Sequence, residues 1–181
     1  RVKSSARLEQ IFVFGFLVWA LQMPSFAQTL GVSVPAATHG WTGGLNFHAE
    51  ETKDRLENQY PELKIVLVTA SNASEQANDL EDLLTIHQID ALVILPFESA
   101  ALTGPVRNVE RSGVFVTVVD RGLTDPSIHD FYVAGNNSEM GRVSANYIKS
   151  RLDQDGKIVI LRGMPTVIDE QRFDGFMSSI D

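Results

Sequence analysis

The chain is predicted to fold as an α/β protein with parallel sheets flanked by helices, and three observations predict it. Several short segments are apolar and β-branched without alternation, the pattern of strands covered on both faces. Helical stretches separate these segments, so that strands recur about every 25 to 30 residues, a βαβ rhythm with right-handed crossovers. The clearest strand, Val114 to Gly122, stops at an adjacent acid and base, Asp120 and Arg121. In open α/β sheets ligands bind just beyond the carboxyl ends of such strands.

Taken in order, Arg1, Lys3 and Arg7 precede an apolar run from Ile11 to Leu21, followed by Pro24 and the small-x-small triplet Ser25-Phe26-Ala27. This pattern predicts a secretory signal peptide over residues 1–27, cleaved after Ala27. The alternative is a retained membrane anchor, but a spanning helix needs roughly 20 apolar residues and this run has 11. Without residues 1–27, which carry a net +2, the charge of −8 becomes −10. So acidic a chain has no basic face for nucleic acid or for an anionic membrane surface. It has no cysteine, which excludes disulfides, thiolate metal sites and a lipid-bearing N-terminal cysteine. The chain does not begin with Met, so translation is expected to have started upstream.

Leu30 to Val34 reads as the first strand, closed by Pro35. A small-residue loop with Trp41 follows, then a helix from Leu45 to Gln59. Leu63 to Thr69 is the second strand. Ser74, followed by Glu75, is the expected N-cap of the next helix, whose apolar face carries Ala77, Leu80, Leu83, Leu84 and His87. His87 reads as a charge at the helix C-terminus. Ala91 to Leu95 is the third strand, broken by Pro96-Phe97. Leu102, Val106 and Val109 mark a helix that should begin near Pro105 or kink there. After the Asp120-Arg121 strand comes a polar loop, Leu123 to Asp130, and a short strand, Phe131 to Gly135. Asn136-Asn137-Ser138 then caps a helix running to about Leu152, with Met140, Val143, Tyr147, Ile148 and Leu152 as its expected apolar face. Lys157 to Leu161 is a further expected strand, followed by a helix that contains Arg172.

No enzyme signature stands out. There is no Gly-x-Ser-x-Gly elbow and no phosphate loop, and the cluster Gly40 to Gly44 is not Gly-x-Gly-x-x-Gly. The histidines, His39, His48, His87 and His129, lack tight metal spacing, and no cofactor or metal is expected. What remains is a recognition set, each member following a strand: His39 and Trp41, Phe97, Asp120 and Arg121, and Arg172. Flat rings suit the C–H faces of a sugar, and carboxylate and guanidinium suit its hydroxyls. From the residues alone, Asp120 could equally cap a turn beside a solvated Arg121. Trp41 could equally fold back on the core, and His39 could be a base, a donor or an incidental loop residue.

The signal peptide, the strand Leu-Gly-Val-Ser-Val-Pro, the Val-Val-Asp-Arg ending, Val-Ala-Gly-Asn-Asn-Ser-x-x-Gly and Arg-x-x-Gly-Phe at Arg172 to Phe176 resemble the type I periplasmic sugar-binding proteins of the ribose and galactose kind. The resemblance covers residues 29–181 and lies in the order of motifs. It implies a two-lobed periplasmic-binding-protein-like fold closing on a monosaccharide or polyol, which is handed to the membrane permease of an ABC importer. The expected division is 28–135 for the first lobe and 136–181 for an incomplete start of the second, so the chain is expected to be a piece of a protein that is monomeric at full length. In that family Asp120, Arg121 and Arg172 would bind hydroxyls and Trp41 would stack on the ring. Ribose-type members often carry Asn-Pro-Phe-Phe where this chain has His39-Gly40-Trp41-Thr42, and Asn where it has Leu95 before Pro96. Another pentose, a hexose or a sugar alcohol is therefore as open as ribose.

The same fold also serves sensors. A DNA-binding regulator would begin with a helix-turn-helix where this chain has an export signal, which leaves a periplasmic sensor as the second expectation. A secreted hydrolase would need the nucleophile elbow that is missing.

Overall fold

The computed structural model describes residues 28–152 and 156–180. The signal-peptide expectation at residues 1–27 lies outside the described residues. Strands β1 (Gln28–Pro35), β2 (Leu63–Ala70), β3 (Ala91–Ile94), β4 (Phe115–Val119) and β5 (Phe131–Val133) form one sheet in the order β2-β1-β3-β4-β5. Every pairing is parallel. Helices α1 (Gly40–Gln59), α2 (Ala73–Thr85) and α3 (Ser99–Arg111) connect the first four strands, a short 3-10 turn (Pro126–Ile128) precedes β5, and α4 (Asn137–Lys149) and α5 (Val167–Ile180) follow it.

The strand order reverses between β1 and β3, because the chain moves outward from β1 to β2 and then crosses back. At such a switch point two connections leave in opposite directions, and a crevice opens beyond the carboxyl ends of the strands. The core beneath it is apolar. Leu80 and Leu83 of α2 and Leu102, Val106 and Val109 of α3 close over Leu92, Ile94, Val116 and Val118 of the sheet. Gly31 permits this packing on β1, since a β-carbon there would come within 2.9 Å of Ile89.

Several boundaries differ from expectation for identifiable reasons. Helix α1 starts at Gly40, five residues before Leu45, because the buried Thr42 hydroxyl accepts the N–H groups of Thr38 and His39 and donates to the His39 carbonyl. Asn46 then ties the helix to the end of β1 through the Pro35 carbonyl at 2.9 Å. The N-cap of α2 is Asn72, not Ser74, its side chain accepting from Glu75 N–H at 2.9 Å. That helix stops at Thr85, two residues short of His87. Helix α3 runs through Pro105 from Ser99. The carbonyl that loses its donor belongs to Ala101, which is exposed, so water can satisfy it.

Two larger expectations fail. Met140, Val143, Tyr147 and Leu152, the expected buried face, are exposed, and α4 ends at Lys149, before Leu152. The buried positions are Asn137, Gly141 and Ala145, spaced four apart on the side that meets α5. Small residues there let two helix backbones approach closely, whereas no layer among the described residues covers the apolar stripe. The expected strand at Lys157 to Leu161 is not one, with Val159 85% and Leu161 90% exposed. A strand needs a hydrogen-bonding neighbour, and this segment has none among the described residues.

Candidate ligand-binding cleft

An open cleft of about 410 Å³ lies beyond the strand ends, lined by His39, Trp41, Asp120, Arg121, Gly135, Asn136, Asn137, Met140, Ile168 and Arg172. Five of the six residues expected from sequence therefore converge. The turn after β1 supplies His39 as the N-cap of α1, with Trp41 in the first turn. Trp41 is 60% exposed, which overturns its burial in the core and leaves a flat ring on the cleft wall.

Asp120 and Arg121 leave the end of β4 on different supports. Asp120 adopts φ 58°, a left-handed conformation that costs a non-glycine residue roughly 1–2 kcal/mol, although aspartate tolerates it better than most. Its N–H donates to the Val133 carbonyl at 2.8 Å, and its carbonyl accepts the Tyr132 hydroxyl at 2.8 Å. No donor among the described residues reaches its carboxylate. Arg121 is anchored by Nη1 donating to the Phe97 carbonyl at 2.7 Å. The backbone on the N-terminal side of that carbonyl is held in turn by Gln76, which is fully buried. Gln76 accepts the Phe97 N–H at 2.6 Å and donates to Leu95 O at 2.9 Å and Ser33 Oγ at 3.1 Å. The sequence offered no cue to Gln76, because a polar side chain on an amphipathic helix reads as solvent-facing.

Phe97 is not among the lining residues. Its ring packs against the core cluster, and it serves the cleft through its backbone. Arg172 enters from α5 and not from the end of a further strand. Its Nε donates to Asn137 Oδ1 at 2.9 Å, and Asn137 Nδ2 donates to the Gly135 carbonyl at 3.1 Å. Asn137 is the main residue that sequence reasoning missed. Asn136-Asn137 follows a strand, so the same strand-end rule would have found it had the pair not been assigned wholly to capping. Asn136 does cap α4, accepting from Glu139 N–H at 3.0 Å. Ile168 had no sequence signal.

The cleft thus offers an unpaired carboxylate, two guanidinium groups anchored by hydrogen bonds, and the apolar surfaces of Trp41, Met140 and Ile168. Carboxylate accepts and guanidinium donates, so a ligand that both donates and accepts at several points is matched. Among the described residues no group of three or more His, Cys, Asp or Glu side chains is placed to hold a metal.

A family model described as a periplasmic binding protein domain matches residues 30–181. The chain belongs to this family. The ribose import binding protein of Bacillus subtilis is 30% identical over 156 residues, covering 84% of this chain and 48% of that protein. The D-xylose-binding periplasmic protein of Escherichia coli is 28% identical, covering 55% of this chain and 30% of that protein. Among solved structures, the fructose-binding periplasmic domain of a hybrid two-component system superposes with a TM-score of 0.72 at 28% identity, covering 84% and 49%. A solute-binding protein of an ABC transporter from Bacillus halodurans, with bound myo-inositol, shares the fold at a TM-score of 0.73 and 17% identity, covering 88% and 54%. The chain spans about half the length of the curated relatives it matches. The α/β fold expected from sequence, with its parallel sheet flanked by helices, and the resemblance to this family are both borne out.

Proposed function

We propose that this periplasmic binding protein captures a monosaccharide or sugar alcohol outside the cytoplasmic membrane and delivers it to the permease of an ABC importer. The observation that carries the proposal is the convergence of Asp120, Arg121, Arg172 and Trp41 on one cleft at the strand ends. Asp120 accepts from ligand hydroxyls, Arg121 and Arg172 donate to them, and the indole of Trp41 covers a C–H face of the ring. His39 stands at the cleft rim as a further polar partner. The protein binds and releases its ligand and makes no covalent change to it, in keeping with relatives named as binding proteins.

Residues 1–27 are the export signal in this proposal, and the full-length protein is monomeric. Residues 28–135 form the first lobe and 136–181 begin the second. This division is supported by a single sheet that ends at Val133 and by two following helices that pack on each other.

A thermal-shift screen of the intact gene product against pentoses, hexoses and polyols tests the proposal. A ligand at 100 times its dissociation constant adds about 2.7 kcal/mol to stability. No shift with any sugar or polyol would refute it. The similarity to a domain of a hybrid two-component system favours one second reading, a periplasmic sensor. Uptake of the identified sugar by a deletion strain separates the two, since lost uptake indicates transport, whereas intact uptake with lost induction indicates sensing.

A further inference from the structure

We propose that Tyr132 is a positioning residue that acts through Asp120 to aim the carboxylate into the cleft. This inference rests on the cleft being the sugar site proposed above. Asp120 holds a left-handed backbone conformation that its own side chain does not require. Two hydrogen bonds flank it. The first, from its N–H to the Val133 carbonyl, belongs to the pairing of β4 with β5. The second, from the Tyr132 hydroxyl to the Asp120 carbonyl, comes from a side chain and is not supplied by sheet pairing.

Tyr132 is built to make that bond. It sits in β5 opposite Val118, and its ring leans on His129 with centroids 5.6 Å apart, while its hydroxyl reaches past the end of β4. Gly122 leaves the hydroxyl its space, since a β-carbon there would stand 3.3 Å from the Tyr132 oxygen. Burial and the charge of Asp120 raise the phenol pKa above its ordinary value, so the group remains a donor throughout the neutral range. Arg121 has its separate anchor at the Phe97 carbonyl. Removing the Tyr132 hydroxyl therefore frees the turn at Asp120 and leaves Arg121 in place.

The test is calorimetric titration of the intact gene product with D-ribose, D-xylose, D-fructose and myo-inositol as probes, on wild type, Tyr132→Phe, Asp120→Ala and the double variant. Tyr132→Phe should weaken the best probe about tenfold, the scale of one lost hydrogen bond. Gly122→Ala, which crowds the hydroxyl without removing it, should act in the same direction and carries the test if Tyr132→Phe does not fold. In the Asp120→Ala background the Tyr132→Phe change should alter affinity less than about twofold, because no carboxylate is left to aim. Unchanged affinity in Tyr132→Phe, or the same loss with and without the carboxylate, overturns the positioning role and leaves the sugar site standing. A wild type that binds no probe overturns both.

Discussion

The α-carbon of Gly141 lies directly against the carbonyl of Arg172. A β-carbon at Gly141 would collide with that oxygen and stand 2.7 Å from the Phe176 nitrogen, and one at Gly175 would collide with the Ser138 carbonyl. The two glycines let α4 and α5 touch backbone to backbone, which brings Arg172 within reach of Asn137 and the cleft. Gly141→Ala should therefore push the helices apart, destabilising the protein by about 1–3 kcal/mol and weakening ligand binding. Gly44→Ala in α1 is the control. Its added methyl meets nothing, and it should stabilise by roughly 0.4–1 kcal/mol. Urea unfolding of both variants checks the contrast.

Asp120→Gly should separate stability from function. Glycine accepts a positive φ without strain, and the backbone bonds to Val133 and Tyr132 survive, so stability should hold or rise by up to about 1 kcal/mol. Ligand affinity should fall by on the order of 2 kcal/mol, about 30-fold, because the carboxylate is gone. Thermal melts and titration with the sugar found in the screen measure the two effects independently.

Trp41 is the sole tryptophan among the described residues, and the emission lost in Trp41→Phe isolates its report on the cleft wall. Being 60% exposed, it should be quenched readily by acrylamide and become protected when ligand is added. Emission that is equally accessible with and without bound sugar would exclude stacking on the ring.

Gln76→Leu should cost about 3 kcal/mol. It leaves the Phe97 N–H and the Leu95 carbonyl without their partner in a buried position. The same change should loosen the Phe97 carbonyl that anchors Arg121, so affinity should fall along with stability. Full binding at wild-type strength in a destabilised variant would disconnect Gln76 from the cleft.

The pH dependence has a defined sign at Asp125. The Ser127 hydroxyl and N–H, with Arg107, hold its carboxyl well below the ordinary carboxylate range. A depressed folded-state pKa stabilises the fold above the unfolded value near 3.9, and that stability is lost as pH falls below it. The stability gap between wild type and Asp125→Asn should therefore be constant from about pH 7 to 5, begin to narrow near pH 4 and go on narrowing as pH falls towards the depressed folded-state value. Denaturant melts across that range measure it.

Local pattern was enough for much of the fold. Apolar, β-branched runs located all five strands, although β5 is exposed along its length and β4 is buried only at alternate residues, so composition marked the strands without fixing which faces are covered. The parallel sheet then followed from the spacing, and the strand-end rule picked out His39, Trp41, Asp120 and Arg121 for one cleft, whereas Arg172 reaches it from α5 without the strand it was expected to follow. The order of short motifs was enough to place the chain in its family.

Other features depended on what each element packs against. The apolar stripe of α4 looked like a core face, yet Gly141 and Ala145 are the buried side, because burial is set by the neighbour and α5 approaches there. Lys157 to Leu161 has the composition of a strand and, among the described residues, no partner to make it one. Phe97 follows a strand end as expected, but its ring is drawn into the core and only its carbonyl serves the cleft. The left-handed turn at Asp120 and the reach of Gln76 from α2 to three backbone and side-chain partners are likewise tertiary facts. Hydrophobic periodicity records which residues avoid water, while hydrogen bonds between residues distant in sequence depend on distances that exist only after the sheet has formed.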